Sequence, residues 1–203
     1  MVHILLYRDI SLKCAFLLAL SSGRRVSELH ALRRTVYEVS DDRVCLQTDA
    51  SFLAKNQKMG SEPLTIEVRS NPLNNDLCPM LTLLQYITDT NDIAATNMSD
   101  SLFYSYVKPH KPISKNSVAR WVATVIRDAY AQLGSVPKAN AHEVRAISAS
   151  MFVGPEDSIQ DILSAGLWSN QWSYLGFYKR VIPADWDFSQ FGSLVVVNKV
   201  MKF

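Results

Sequence analysis

Residues 17–32 read LLALSSGRRVSELHAL: an apolar run, a Ser-Ser-Gly break, two arginines, then a second short apolar periodicity. Just upstream, Leu12, Ala15, Phe16, Ala19 and Leu20 recur at helical spacing, so a helix is expected over residues 12–20. Ser21, Ser22 and Gly23 interrupt it as a helix end does. A second helix is expected to begin near Arg25, burying Val26, Leu29 and Leu32. Arg33 and Arg34 suit its last turn, where cations meet the carbonyl end. A β-branched and aromatic stretch then opens at Thr35.

Working outward, residues 36–39, 44–47, 52–55 and 64–68 have the composition of short strands, separated by turn-prone Ser40, Asp41 and Asp42 and by residues 56–62. They predict a small antiparallel sheet. The polar hairpin carrying Lys55, Lys58 and Gly60 suits a mobile loop with a basic tip. Helix returns over residues 79–88, with Leu81, Leu84 and Ile87 on one side, and residues 91–100 read as a loop. Ser114 caps a long helix whose buried stripe is Val118, Trp121, Val122, Val125, Ile126 and Ala129, closing at Gly134. Further helices are expected over residues 142–152, 158–165 and 170–179. No repeat, low-complexity tract or Gly/Ser linker divides the chain. The expected fold class is α+β, mainly helical, with a small antiparallel sheet inserted after the second helix.

Composition narrows the chemistry only modestly. At 203 residues and 48% hydrophobic content the chain can bury an ordinary core. A net charge of +2 neither demands nor excludes a polyanionic partner, because the distribution of charge matters more than its sum. Cys14, Cys45 and Cys78 are odd in number and lack zinc-site or disulfide-framework spacing, which suits a reducing compartment. No apolar run reaches the roughly 18 residues of a membrane span. Residues 1–6 are too short for a signal-peptide core and run into Arg8 and Asp9, so no secretion signal is read.

Arg25 and Glu28 lie three apart on a predicted helix, so the carboxylate can hold the guanidinium and leave its planar fork for a phosphate, a geometry lysine lacks. Taken alone, the pair also reads as a solvent-facing ion pair. His142 and Arg145 repeat the spacing at a helix start, where backbone N–H groups favour an anion; taken alone, a His-x-x-Arg usually means a cap or surface contact. Tyr178 follows Trp168 by ten residues and is flanked by Lys179 and Arg180, within a segment whose Trp172, Leu175 and Phe177 look like packing residues. In isolation it would be a half-buried surface aromatic.

Taken in order, Arg25 and Glu28, Lys55 on a hairpin, His142 and Arg145, Trp168 and then Tyr178 resemble the tyrosine recombinase, or phage integrase, family. Residues 17–32 resemble its first arginine box, AHEVRAIS at 141–148 its second, and AGLWSNQWSYLGFYKR at 165–180 the segment with the last site residue and nucleophile. Within the family, FLAKNQ, HEVRAIS and GFYKR are most similar to recombinases of eukaryotic mobile elements, the DIRS-type retroelements and Crypton-like transposons.

The resemblance implies DNA strand cleavage and rejoining through a covalent 3′-phosphotyrosine, with neither metal nor cofactor. Arg25 and Arg145 would clamp the scissile phosphate, and His142 would assist by hydrogen bonding and proton transfer. Trp168 would take the position of a histidine or tryptophan, and Lys55, with Lys58 as the alternative, would be the general acid. Tyr178 would attack phosphorus, Glu28 would brace the site, and Arg24, Lys58, Lys179 and Arg180 would contact DNA. The implied partners are double-stranded DNA and further copies of the chain in a synaptic tetramer, with no membrane and, for a eukaryotic element, a nuclear location. The catalytic domain is expected over residues 1–182 without the family's N-terminal DNA-clamp domain. Residues 183–203 would pack in cis or on a neighbouring protomer.

This sequence departs from the family at Ala146, where many bacterial members carry a second histidine. Three competing readings remain: a catalytically inactive or truncated DNA-binding module, a type IB topoisomerase-like enzyme that relaxes supercoils, and a plain helical structural protein. The last would place Arg25, Arg145 and Tyr178 far apart.

Overall fold

The protein's structure is a computed structural model that describes residues 2–132, 134, 140–151, 163, 171–177 and 179. Helix α1 (Val2–Ser22) begins well before the predicted residue 12 and runs through the middle of the fold. Cys14, Ala15, Leu17, Leu18, Ala19 and Leu20 are all buried. From Cys14 to Leu20 the helix is apolar on every face, as a helix surrounded by neighbours is, and the segments Thr65–Arg69, Pro79–Asp89, Lys115–Gln132 and Ala141–Met151 enclose it. Gly23 ends it in the left-handed region at φ 58, its N–H donating to the Ala19 carbonyl at 3.1 Å.

Helix α2 is short, Val26–His30, with Arg25 as the extended residue before it. It stops earlier than expected. Leu32 opens strand β1 (Leu32–Val39), so Arg33 and Arg34 lie in a strand, not in a helical last turn. Alternation overrides helical periodicity because each arginine has a partner on its own face. Arg34 points inward and donates to Thr90 Oγ1 at 2.8 Å and to the Ile87 carbonyl, while Arg33 points outward to Asp100 at 2.6 Å.

Strands β2 (Arg43–Thr48) and β3 (Thr65–Arg69) complete an antiparallel sheet of order β1-β2-β3. Its inner face carries Val44, Leu46, Ile66 and Val68, all fully buried. The strand expected over 52–55 does not form: Lys55 occupies a turn and Leu53 is exposed, so the alternation has no layer to bury against. Within this connection Gln57 acts as a tie, accepting from the Ala54 N–H and donating to the Glu62 carbonyl, each at 2.9 Å.

Helix α3 (Pro79–Asp89) buries Met80, Leu83 and Tyr86, with Leu84 and Ile87 partly covered beside them. Leu81, expected on the inner side, is 46% exposed. Residues 91–97, expected in a loop, form helix α4 (Asn91–Asn97), anchored by the single buried residue Ala94. Helix α5 (Lys115–Gln132) begins where Ser114 Oγ accepts the Ser117 N–H at 3.3 Å. It buries Val118, Trp121 and Val122 and half-buries Val125 and Ile126, but Ala129 is exposed because the helix has by then left the core. Trp121 stacks on Tyr106 at 5.4 Å and meets Phe103 edge-on at 6.0 Å.

Helices α6 (Ala141–Met151) and α7 (Gln171–Phe177) follow, the latter shorter than the predicted 170–179. Ala149, Leu163 and Tyr174 join them in a second small cluster. The helix expected over 158–165 falls outside the described residues except at the helical residue 163, and residues 180–203 fall outside them entirely. The three cysteines are free and buried, and no described helix is long and apolar enough to cross a membrane.

The inward turn of Leu83 and the outward turn of Leu81 give a direct test. Leu83 is fully buried, so Leu83→Ala should cost about 2–5 kcal/mol in urea unfolding. Leu81→Ala, at the exposed position, should stay within about 0.5 kcal/mol of wild type.

Candidate active site

The site begins at the Gly23 turn. Immediately after it, Arg25 Nη1 meets Glu28 Oε1 at 2.8 Å, and the Arg25 backbone N–H donates to Glu28 Oε2 at 3.1 Å. Glu28 is fully buried whereas the Arg25 side chain is 20% exposed. The pair is therefore not a solvent-facing one: a carboxylate beneath the surface holds a guanidinium at its rim.

The second half arrives on α6. Asn140 Oδ1 accepts the Glu143 N–H at 3.1 Å and so caps the helix start. Arg145, one turn on, is 2% exposed, and its Nη1 donates to the Gly23 carbonyl at 2.7 Å. The helix of the second box thus docks on the turn of the first, across 122 residues of sequence. Ala146 is buried, so packing fills that position.

Arg24, Arg25, His142 and Arg145 line one cavity of about 370 Å³. The structure also brings Lys115, Asn116 and Asn140 to its wall, which the sequence reading had not singled out. All three lie at helix starts, and a basic or amide residue beside an N-cap was the available signal. Among the described residues, four of those lining it are arginine or lysine and none is aspartate or glutamate. Arg24 is 8% exposed, and its Nε and Nη1 have no hydrogen-bond partner among the described residues. Burial pushes its pKa below the ordinary arginine range, Glu28 opposes that shift and Arg25 adds to it; a guanidinium nonetheless stays charged at neutral pH.

Other expected residues are not gathered there. Lys55 and Lys58 are exposed in the connection between β2 and β3 and do not line the cavity. Lys179 is exposed, its N–H donating to the Tyr174 carbonyl at 2.9 Å. Trp168, Tyr178 and Arg180 lie outside the described residues. Helix α7 ends at Phe177, and its Tyr174 packs on α6, the hydroxyl donating to the Ala149 carbonyl at 3.5 Å. Burial raises the Tyr174 pKa, which makes it a packing residue and a poor nucleophile.

Fold and site together define a mainly helical domain with an arginine-lined cavity. The sequence matches the phage integrase family over residues 1–173, and the chain belongs to that family, the tyrosine recombinases. The matched region ends short of Tyr178. Among solved structures, XerA recombinase is similar in fold with a TM-score of 0.55 at 14% identity, covering 87% of this chain and 57% of XerA. A lambda integrase dimer bound to a COC′ core site aligns with a TM-score of 0.47 at 17% identity, over 92% of this chain and 47% of that one. The chain therefore spans about half the length of these solved proteins. Among curated proteins, none matches.

Removing the brace should be felt in stability. Glu28→Ala strands Arg25 at the cavity rim, and unfolding free energy should fall by about 2–3 kcal/mol, below the 3–5 of a fully enclosed pair because Arg25 reaches solvent. Glu28→Gln, which keeps an acceptor for the Arg25 backbone N–H, should lose less in the same urea titration.

Proposed function

We propose that this chain cuts and rejoins DNA strands through a covalent 3′-phosphotyrosine at Tyr178, as a recombinase of the mobile-element type. The observation that carries this reading is the convergence of Arg25 and Arg145, from boxes far apart in sequence, on one cavity whose described lining holds no acid. A phosphodiester under attack gathers charge on its equatorial oxygens, and donors already fixed in place stabilise the transition state more than the ground state. Arg145 is held by Gly23 and Arg25 by Glu28, so neither has to be organised at the moment of reaction.

In this reading Tyr178 supplies the nucleophile. A phenol has an ordinary pKa of about 10, so its deprotonation needs nearby cations or a base, and His142 with the arginines fills that need. The leaving 5′ oxygen takes a proton from Lys55 on the β2–β3 connection, with Lys58 the alternative. Trp168 completes the phosphate pocket, and Lys179 and Arg180 add DNA contacts beside the nucleophile. The phosphotyrosine conserves the energy of the broken bond, so the second strand is joined without ATP. Cleavage in pairs within a synaptic tetramer, and a nuclear site of action, belong to the same proposal.

One observation favours a second reading, DNA binding without cleavage: neither Lys55 nor Lys58 lines the cavity. A nicked suicide duplex separates the two. Wild type should give a covalent protein–DNA band on a denaturing gel, in the presence of EDTA. Tyr178→Phe should give none, and Arg145→Ala should reduce the rate by about 10²–10³. Binding without a band would leave the non-catalytic module. Relaxation of plasmids by monomers, with no recombinant product, would instead make the chain topoisomerase-like.

A further inference from the structure

Arg24 has no defined part in that chemistry, yet it is the least satisfied cation of the site. Its side chain is more than nine-tenths buried, and its Nε and Nη1 are without partners among the described residues. Buried guanidinium N–H groups left open are rare in native proteins, because desolvation goes uncompensated unless a ligand returns the lost hydrogen bonds. Neighbouring groups do not supply that anion. Glu28 is already engaged by Arg25, and no carboxylate lines the cavity among the described residues. The first turns of α5 and α6, helices of 18 and 11 residues, open on the same space through Lys115, Asn116 and His142, and such turns favour anions.

We propose that Arg24 is a third phosphate-binding guanidinium beside Arg25 and Arg145, and that without DNA the cavity takes an inorganic oxyanion such as pyrophosphate. Identifying the phosphate as that of a cleavable DNA strand rests on the strand-transfer reading above; the anion site itself rests on the geometry.

A packing arginine and an anion-binding arginine respond oppositely to removal. In buffer without multivalent anions, Arg24→Met should melt at a higher temperature than wild type, because an unsatisfied buried charge has gone. The same variant should lose the rise in melting temperature that pyrophosphate gives wild type over sodium chloride of equal ionic strength, with calorimetric affinity about ten- to a hundredfold weaker. On duplex DNA its log K against log salt slope should flatten by about 0.9, the loss of one phosphate contact. If Arg24→Met does not fold, Arg24→Lys, which keeps the charge and loses the fork, should still weaken pyrophosphate binding.

A lower melting temperature for Arg24→Met, with pyrophosphate affinity and salt slope unchanged, would make Arg24 a packing residue and overturn the proposal. Unchanged pyrophosphate affinity in Arg24→Lys would overturn it equally where that variant alone is soluble. Failure here is distinguishable from failure of the strand-transfer reading. Wild type that captures nicked DNA while Arg24→Met binds pyrophosphate normally sinks only the Arg24 assignment. Arg24-dependent pyrophosphate binding without capture supports the anion site and sinks only the cleavage.

Discussion

A buried hydrogen bond, from Arg145 Nη1 to the Gly23 carbonyl, joins the two halves of the site. Its donor comes from a helix near the end of the described chain and its acceptor from the turn that ends the central helix. Because Gly23 takes a left-handed conformation to stop α1, its carbonyl is not consumed by the helix and remains to receive the guanidinium. Fold and chemistry therefore share one contact. Loss of the α1 stop would misplace Arg25 and deprive Arg145 of its acceptor together.

Around that contact the charges are deliberately unequal. Glu28 is a carboxylate that holds Arg25 from below the cavity and is not in its wall. The result is a surplus of positive charge in a partly desolvated space, where each cation is stronger toward an anion than it would be in water. In the proposed reading, such an arrangement trades stability of the empty protein for affinity toward a phosphate, the usual tension in a preorganised site.

Much of this was legible in the sequence, for identifiable reasons. The Ser-Ser-Gly stop, the Ser114 cap and the three-residue spacings of Arg25 with Glu28 and His142 with Arg145 are local signals, and local signals survive folding. Leu32, Arg33 and Arg34 were misread because their partners, Thr90 and Asp100, lie far along the chain and convert a would-be helix turn into a strand. Residues 52–55 have strand composition but no neighbouring layer, and α4 has one buried residue and hence no periodicity to detect. On α3 two apolar stripes compete, and only the position of α1 decides that Leu83 turns inward while Leu81 does not. Lys115 carries the helix-start signal of a basic residue beside an N-cap, but that signal does not announce which cavity the residue faces.

The central claim is that Arg25 and Arg145 hold one phosphate within reach of residue 178. It is tested most directly by a structure of the Tyr178→Phe protein bound to an uncleaved duplex. Both guanidiniums should lie about 2.7–3.2 Å from oxygens of the same phosphate, with the ring of residue 178 facing that phosphorus. A duplex seated away from the cavity, or a phosphate held by only one of the two arginines, would contradict the account.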